Sequence, residues 1–282
     1  MALLYISIVI FTVMQSATTK FYVRKSDNSV FFNALKTLSA LILMCLINAG
    51  KIQFDKITFI LAMAYGISLC LSMYSGYKAL HLGPMSLTSL ICSFAVIIPI
   101  LYGIIFYNEA VTAYKITGIC FLVLAIILIN INSANKTKTK VNFKWAMFVA
   151  ITFITNGLCS VIQKKHQSIY PGEYAEDFMI FAMLLCAAVY VIISIKKFPL
   201  KQLWTSKGKV YGVLSGVSNA LANYLTLCLV GMENASVLFP VISAGTIFTT
   251  VICGITVFKE RLKINQIIAI VCGIFAIVFL KL

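Results

Sequence analysis

The chain has 282 residues, of which 61% are hydrophobic and 11% are charged, about half the charged fraction of an ordinary soluble domain. This composition excludes a water-soluble globule and is typical of a chain that lies mostly within a membrane. The net charge is +15, but nearly all basic residues lie in short segments between apolar runs, where membrane topology explains them. Nucleic acid is therefore not indicated as a partner.

Ten apolar runs of spanning length follow one another along the chain. A membrane-spanning helix needs about 20 residues, so ten of them leave no room for a folded soluble domain. The predicted spans are 3–21, 30–49, 58–79, 85–107, 114–131, 143–163, 174–195, 210–230, 235–258 and 264–280. We therefore expect an all-α polytopic membrane protein with ten transmembrane helices.

The nine cysteines all fall within these apolar runs, and none has a neighbouring His or carboxylate at metal-ligand spacing. They are typical of small side chains that pack between helices. We expect neither a metal site nor a cofactor.

The polar stretch 132–142 divides the chain into two five-helix halves, 1–131 and 143–282. One constant shift of the numbering aligns Gly103 with Gly254 and Glu109 with Glu260. A repeat with an odd number of helices enters the membrane from opposite sides, so the pattern predicts two inverted repeats with a substrate cleft between them near the midplane.

The second half carries residues that mark a family: Pro240, Glu260, Arg261, Leu262, Ala269 and Gly273. This pattern resembles the repeat of the EamA family in the drug/metabolite transporter superfamily. The first half has Glu109 and Gly118 in the same frame, but Ser89 replaces the usual proline. The resemblance implies transport of amino acids, sugars, amines or drugs, and we expect a multi-pass protein of a bacterial inner membrane.

All eight acidic residues lie at predicted helix ends or in loops. Proton-driven pumps commonly use carboxylates inside the membrane, so only weak coupling to protons is expected. Glu109 and Glu260 are interpreted as structural groups that cap helices, although titration of either one is the alternative.

Polar side chains form stripes at helical spacing on the first, third, sixth and eighth predicted helices. The candidate substrate-binding residues among them are Gln15, Thr19, Ser68, Ser72, Asn156, Ser160, Asn219 and Asn223. One interpretation is hydrogen bonding between helices. The other is a wet cavity, which the repeat symmetry of the stripes favours, because a buried amide is costly without a partner.

Aromatic residues supply a second candidate set for substrate binding, Tyr74, Tyr77 and Tyr102, which together with Tyr65, Phe106 and Tyr224 would form a cage for an organic cation. Interfacial aromatic belts are the alternative explanation.

Gly212 and Gly216 form a small-residue ridge that predicts close helix packing. Lys36, early in the second helix, is interpreted as reaching toward the headgroups, with a counter-ion for a substrate anion as the alternative.

These features favour a secondary transporter that moves a small polar or amphipathic metabolite, such as an amino acid or an amine, by alternating access, with the solute and membrane lipid as its partners. An intramembrane enzyme would need a nucleophile with a base, or a set of metal ligands. The sequence offers neither, since its only histidines are His81 and His166 and every acidic residue lies at a predicted helix end or in a loop. A non-catalytic scaffold or a lipid-flipping subunit is the remaining alternative. The family resemblance implies that both termini lie inside the cell, but the loop charges favour both termini outside, and this is the orientation we expect.

Overall fold

The structure is a computed structural model that describes residues 1–23, 29–82, 92, 94–134, 143–197, 209–256 and 264–281. Within these residues the secondary structure is helical throughout, with ten α-helices and a short 3₁₀ turn, Phe94–Val96. The helices are α1 (Ala2–Val23), α2 (Ser29–Ile47), α3 (Lys56–Leu82), α4 (Ile97–Tyr107), α5 (Ala113–Ala134), α6 (Phe143–Ile169), α7 (Ala175–Lys197), α8 (Lys209–Val230), α9 (Ala235–Thr256) and α10 (Ile264–Lys281). The expectation of an all-α chain is confirmed for this part of the sequence.

Most helices begin and end within three residues of the predicted spans. The exception among fully described helices is α6, which was predicted to end at residue 163 and continues to Ile169. Its last turns are polar, so hydropathy ended the prediction early. Their side chains have partners: Lys164 donates to the Glu233 carbonyl at 2.8 Å, and the Gln167 side chain bonds the loop that follows.

Six helices are long and apolar enough to cross a membrane, namely α1, α2, α3, α6, α7 and α8. The other four, α4, α5, α9 and α10, contain shorter apolar stretches in the residues described. The structure thus gives a polytopic helical protein.

The chain forms two compact units. The first unit comprises Met1–Cys70 and Lys165–Gly231, and the second comprises Leu71–Lys164 and Met232–Leu282. Each unit draws helices from both halves of the sequence, and α3 and α6 each contribute to both units. In the first unit α1 packs on α8, and α2 packs on α7 and α8. In the second, α5 packs on α10, and α9 packs on α4, α5 and α10.

Helix α7 forms much of the core of the first unit. Its buried residues include Phe178, Met179, Met183 and Cys186 on one side of the helix, whereas Leu184, Ile192 and Ile195 on the other side are exposed. The exposed apolar face is typical of a helix within a membrane. In the second unit, Phe121 of α5 stacks between neighbours on α10, with its ring centroid 5.5 Å from Phe275 and 5.7 Å from Phe279.

Candidate functional site

A pair of polar contacts joins α1 to α8 in the first unit, and we call them the α1–α8 polar contact. The Asn219 side-chain amide donates to Gln15 Oε1 at 3.3 Å. The hydroxyls of Thr19 and Ser215 are 3.4 Å apart. Asn219 is 6% exposed and Ser215 is fully buried. Two predicted stripes, on the first and the eighth helix, therefore face each other.

The side-chain amides of Gln15 and Asn219 form only some of the hydrogen bonds that they can make. Within the described part of the chain, the Gln15 amide nitrogen and the Asn219 side-chain carbonyl have no hydrogen-bond partner of their own. A side-chain amide offers two donors and one carbonyl acceptor. The contact therefore retains both donor and acceptor capacity for a bound ligand.

Asn223 lies one turn farther along α8 and connects this contact to α3. Its side-chain nitrogen donates to the Asn219 backbone carbonyl at 2.8 Å. Its side-chain oxygen accepts a hydrogen bond from the Tyr65 hydroxyl at 2.8 Å. The next residue, Tyr224, donates to Glu176 in the first turn of α7.

Sequence reasoning treated Tyr65 as an aromatic wall and Glu176 as a helix-end charge, and it missed both as hydrogen-bonding members of this cluster. The Tyr65 ring also packs on Phe178, with centroids 5.3 Å apart. The periodicity of one helix shows which residues share a face, but it does not show which helix that face meets. No signal in a single sequence pairs Tyr65 with Asn223.

The stripes on α3 and α6 meet in the second unit, and we call this the α3–α6 polar contact. The Ser72 hydroxyl donates to the Asn156 side-chain oxygen. Thr152, which was not among the predicted residues, donates to Ser75 at 2.8 Å.

Two other predicted serines make no contact of this kind. Ser68 donates to Ala64 of its own helix at 2.9 Å. Ser160 is half-buried and has no hydrogen bond to the residues described. Neither side chain therefore bridges two helices within that part of the chain.

The aromatic candidates occupy different surroundings. In the second unit, the Tyr74 ring is 45% exposed and meets Phe148 at 6.4 Å. The Tyr102 ring instead neighbours Phe106 at 4.9 Å, and Phe106 is 69% exposed.

Tyr77 is half-buried in the second unit, whereas Tyr65 and Tyr224 belong to the first. Within the second unit, Tyr74 and Tyr102 have different ring neighbours, so their contacts do not outline a single cage.

Glu109 caps a helix that is distant in sequence. Its carboxylate is buried and accepts the backbone N–H groups of Ala235 and Ser236, each at 2.8 Å, at the start of α9. The Lys164 ammonium lies 3.8 Å away. A carboxylate at a helix N-terminus satisfies free N–H groups and interacts favourably with the helix dipole. This geometry gives Glu109 a structural role.

The other residues assigned to the repeat frame are only partly described. Pro240 lies buried in the early part of α9. Glu260 lies outside the described residues.

The glycine ridge of α8 lies directly against α2. A Cβ atom added at Gly212 would lie 3.0 Å from the Leu35 Cβ, and one at Gly216 would overlap the Ser39 hydroxyl and the Lys36 carbonyl. Lys36 is buried, at 8% exposed. The prediction that Lys36 extends toward the headgroups is therefore not supported, because its side chain is enclosed by helix packing.

Among the described residues, no three His, Cys, Asp or Glu side chains lie close enough together to bind a metal ion. The described polar residues supply amides, hydroxyls and a buried ammonium as hydrogen-bonding groups.

The sequence and the fold both have matches among known proteins. Residues 1–131 match the EamA-like transporter family. No curated protein matches the chain by sequence. A solved structure described as "Crystal structure of protein" is similar, with a TM-score of 0.74 and 11% identity, over 98% of this chain and 94% of that chain. At that identity the similarity concerns the fold alone.

The family match covers the first half of the chain and contains Glu109 and Gly118, two of the residues that carried the resemblance. The match and the apolar helices together give a multi-pass integral membrane protein. The resemblance drawn from the sequence is thus confirmed over residues 1–131, which match the EamA-like transporter family.

Proposed function

We propose that the chain is a secondary transporter of ten membrane helices in two inverted repeats. It moves a small polar or amphipathic metabolite, such as an amino acid or an amine, by alternating access through a cleft between the repeats. No covalent chemistry takes place, and the expected location is a bacterial inner membrane. The observation that carries the proposal is the α1–α8 polar contact, where Gln15 of one repeat meets Asn219 of the other.

The pattern of helix packing supports the repeat. The proposed repeat relates each helix to the helix five places later or earlier in the chain. It relates α1 to α6 and α8 to α3, so the α1–α8 contact corresponds to an α3–α6 contact, which is also present. In the same way, the contact of α2 with α8 corresponds to that of α7 with α3, where the Tyr190 hydroxyl donates to the Cys70 carbonyl at 3.0 Å. The α2–α7 and α5–α10 pairs map onto themselves. Related halves are expected to give matching contacts of this kind, as these helix pairs do.

The chemistry of the α1–α8 polar contact supports solute binding. Amides inside a membrane are costly unless they are paired or reach a wet cavity. Gln15 and Asn219 are joined by one long hydrogen bond and keep further donor and acceptor groups. A solute with hydroxyl, amino or carboxylate groups satisfies these groups during passage.

Uptake into liposomes tests the proposal. Purified full-length protein is reconstituted, and counterflow of labelled amino acids, putrescine and glucose is compared with protein-free liposomes. We expect at least one solute to exchange, and exchange to weaken in Asn219→Ala.

Thr226→Ala is the matched control, because the Thr226 hydroxyl on the same helix donates to its own backbone at Ala222. Lack of counterflow for every solute, with folded and inserted protein, would contradict a transporter and favour the scaffold. Transbilayer movement of labelled phospholipid, without solute exchange, would favour the lipid-flipping alternative.

A further inference from the structure

A lysine lies buried in the membrane-spanning part of α2. Lys36 is within the apolar stretch Val30–Ile47 and is 8% exposed. In the part of the chain described by the structure, no carboxylate lies at ion-pairing distance from its ammonium. The described residues thus give this cation no fixed counter-charge.

The backbone of Lys36 is held in place by close packing against α8. Gly216 has no side chain, so the Lys36 carbonyl and the Ser39 hydroxyl approach its Cα closely. The Ser39 hydroxyl also lies 3.3 Å from the Val213 carbonyl, a further contact with α8. A larger residue at 216 would separate the helices. Packing, and not an ion pair, therefore sets the position of the lysine.

This packing places the Lys36 backbone about one turn of α8 from Asn219, a member of the α1–α8 polar contact. Asn219 follows Gly216 by three residues, which is about 4.5 Å along the helix axis and on a neighbouring part of the same face. Asn219 is bonded to Gln15, and both amides keep uncommitted groups. The first unit therefore contains a buried lysine whose backbone packs against α8 near two partly free amides.

An unpaired charge inside a membrane helix is costly, and such residues commonly mark substrate pathways. A lysine ammonium is a compact point charge that binds carboxylates and phosphates. The geometry points to Lys36 as the residue that binds an anionic group, a carboxylate or a phosphate, of the transported solute. Gln15 and Asn219 then hydrogen-bond the rest of that solute. This inference rests on the proposed transport function and narrows its substrates to molecules with an anionic group.

Thermal unfolding of the full-length protein in detergent tests this assignment. The probes are sodium L-lactate, L-glutamate, inorganic phosphate and glycerol 3-phosphate, with lactamide and putrescine as neutral and cationic comparisons, all at equal ionic strength set with sodium chloride. The variants are Lys36→Met, Lys36→Arg and Lys51→Met. Lys51 is an exposed lysine after α2 and serves as the matched control.

We expect at least one anion to raise the melting temperature of the wild type and of Lys51→Met, because a ligand that binds only the folded state stabilises it. A response to lactate or glutamate identifies a carboxylate site, and a response to the phosphates identifies a phosphate site. Lys36→Arg keeps part of the response. Lys36→Met weakens anion binding at least about tenfold, while its melting temperature without ligand stays level or rises, since an unpaired buried charge has been removed.

An equal anion response in Lys36→Met and the wild type would overturn the assignment, as would no anion response at all or a response to putrescine alone. Liposome counterflow separates this failure from failure of the transport function. Exchange of a neutral or cationic solute that is unaffected by Lys36→Met would leave the transporter intact and remove the anion site. Anion binding that depends on Lys36 without any exchange would keep the binding residue and contradict transport.

Discussion

The α1–α8 and α3–α6 polar contacts, which the proposed repeat relates to each other, differ in the lengths of their hydrogen bonds. In the first unit the Asn219–Gln15 and Thr19–Ser215 distances are 3.3 and 3.4 Å. In the second unit the Thr152–Ser75 distance is 2.8 Å, and Ser72 bonds directly to Asn156. Hydroxyl hydrogen bonds are strongest near 2.7–2.8 Å.

On our proposal, the two contacts have different roles. In the second unit, the hydroxyls of Ser72 and Thr152 each donate to a side chain of the other helix and so hold α3 to α6. In the first unit, the longer contact leaves amide groups available to a ligand. Two polar contacts that the proposed repeat relates to each other therefore serve packing in one case and, on our proposal, solute binding in the other.

The largest effect is expected from Gly216→Leu, which removes the packing on which the first unit depends. The added side chain overlaps the Ser39 hydroxyl and the Lys36 carbonyl, so α2 and α8 must separate. Overpacking of this kind costs about 3 kcal/mol or more. Detergent-solubilised protein should show a strongly lowered melting temperature or fail to fold, whereas Val213→Leu, on an exposed part of α8, should behave like the wild type. Normal stability of Gly216→Leu would mean that the helices are not in close contact.

Glu109→Ala should destabilise the second unit by about 3 kcal/mol, because it leaves two backbone N–H groups without their buried acceptor and removes the carboxylate that lies 3.8 Å from the Lys164 ammonium. Glu109→Gln retains an acceptor and should lose less. Melting temperatures of the two variants provide the measurement. If Glu109→Ala keeps wild-type stability while transport alone is lost, the carboxylate acts in coupling and not as a cap.

Alanine substitution of Asn219 and of Asn156 tests whether the two polar contacts have different roles. Asn219→Ala should weaken transport about fivefold with little change in stability, because it removes a ligand hydrogen bond worth about 1 kcal/mol. Asn156→Ala deprives Ser72 of its acceptor, so we expect a measurable loss of stability together with a smaller transport defect. Counterflow rates and melting temperatures of the same preparations separate the two effects. The reverse pattern would assign the solute site to the α3–α6 polar contact.

The smallest effect concerns the start of α3. Asp55 accepts the Thr58 backbone N–H at 2.8 Å, and this bond holds the pKa of the Asp55 carboxyl below its usual range. A lowered pKa in the folded state gives stability that is present above about pH 4 and lost as the pH falls through the lowered value. The melting temperature should therefore fall slightly less on acidification in Asp55→Ala than in the wild type. Identical pH profiles would show that the cap contributes nothing.

Much of the fold could be predicted from the sequence, because apolar length determines where membrane helices lie. The end of α6 was missed because polar side chains continue the helix through contacts with distant residues, as Lys164 does with Glu233. Within the candidate site, the stripes identified Gln15 and Asn219 as residues facing a partner. Their pairing with each other, and the burial of Lys36, depend on which helices meet, and helical periodicity carries no such information.

The most direct test of the account is a double-mutant cycle across the α1–α8 polar contact. KM for counterflow, using the solute identified in the liposome screen, is measured in wild type, Gln15→Ala, Asn219→Ala and the double variant, with melting temperatures recorded alongside. We expect each single substitution to raise KM several-fold and the double to raise it further, while the melting temperatures stay close to the wild type. Unchanged KM values together with lowered melting temperatures would contradict the account and leave these amides as structural links between helices.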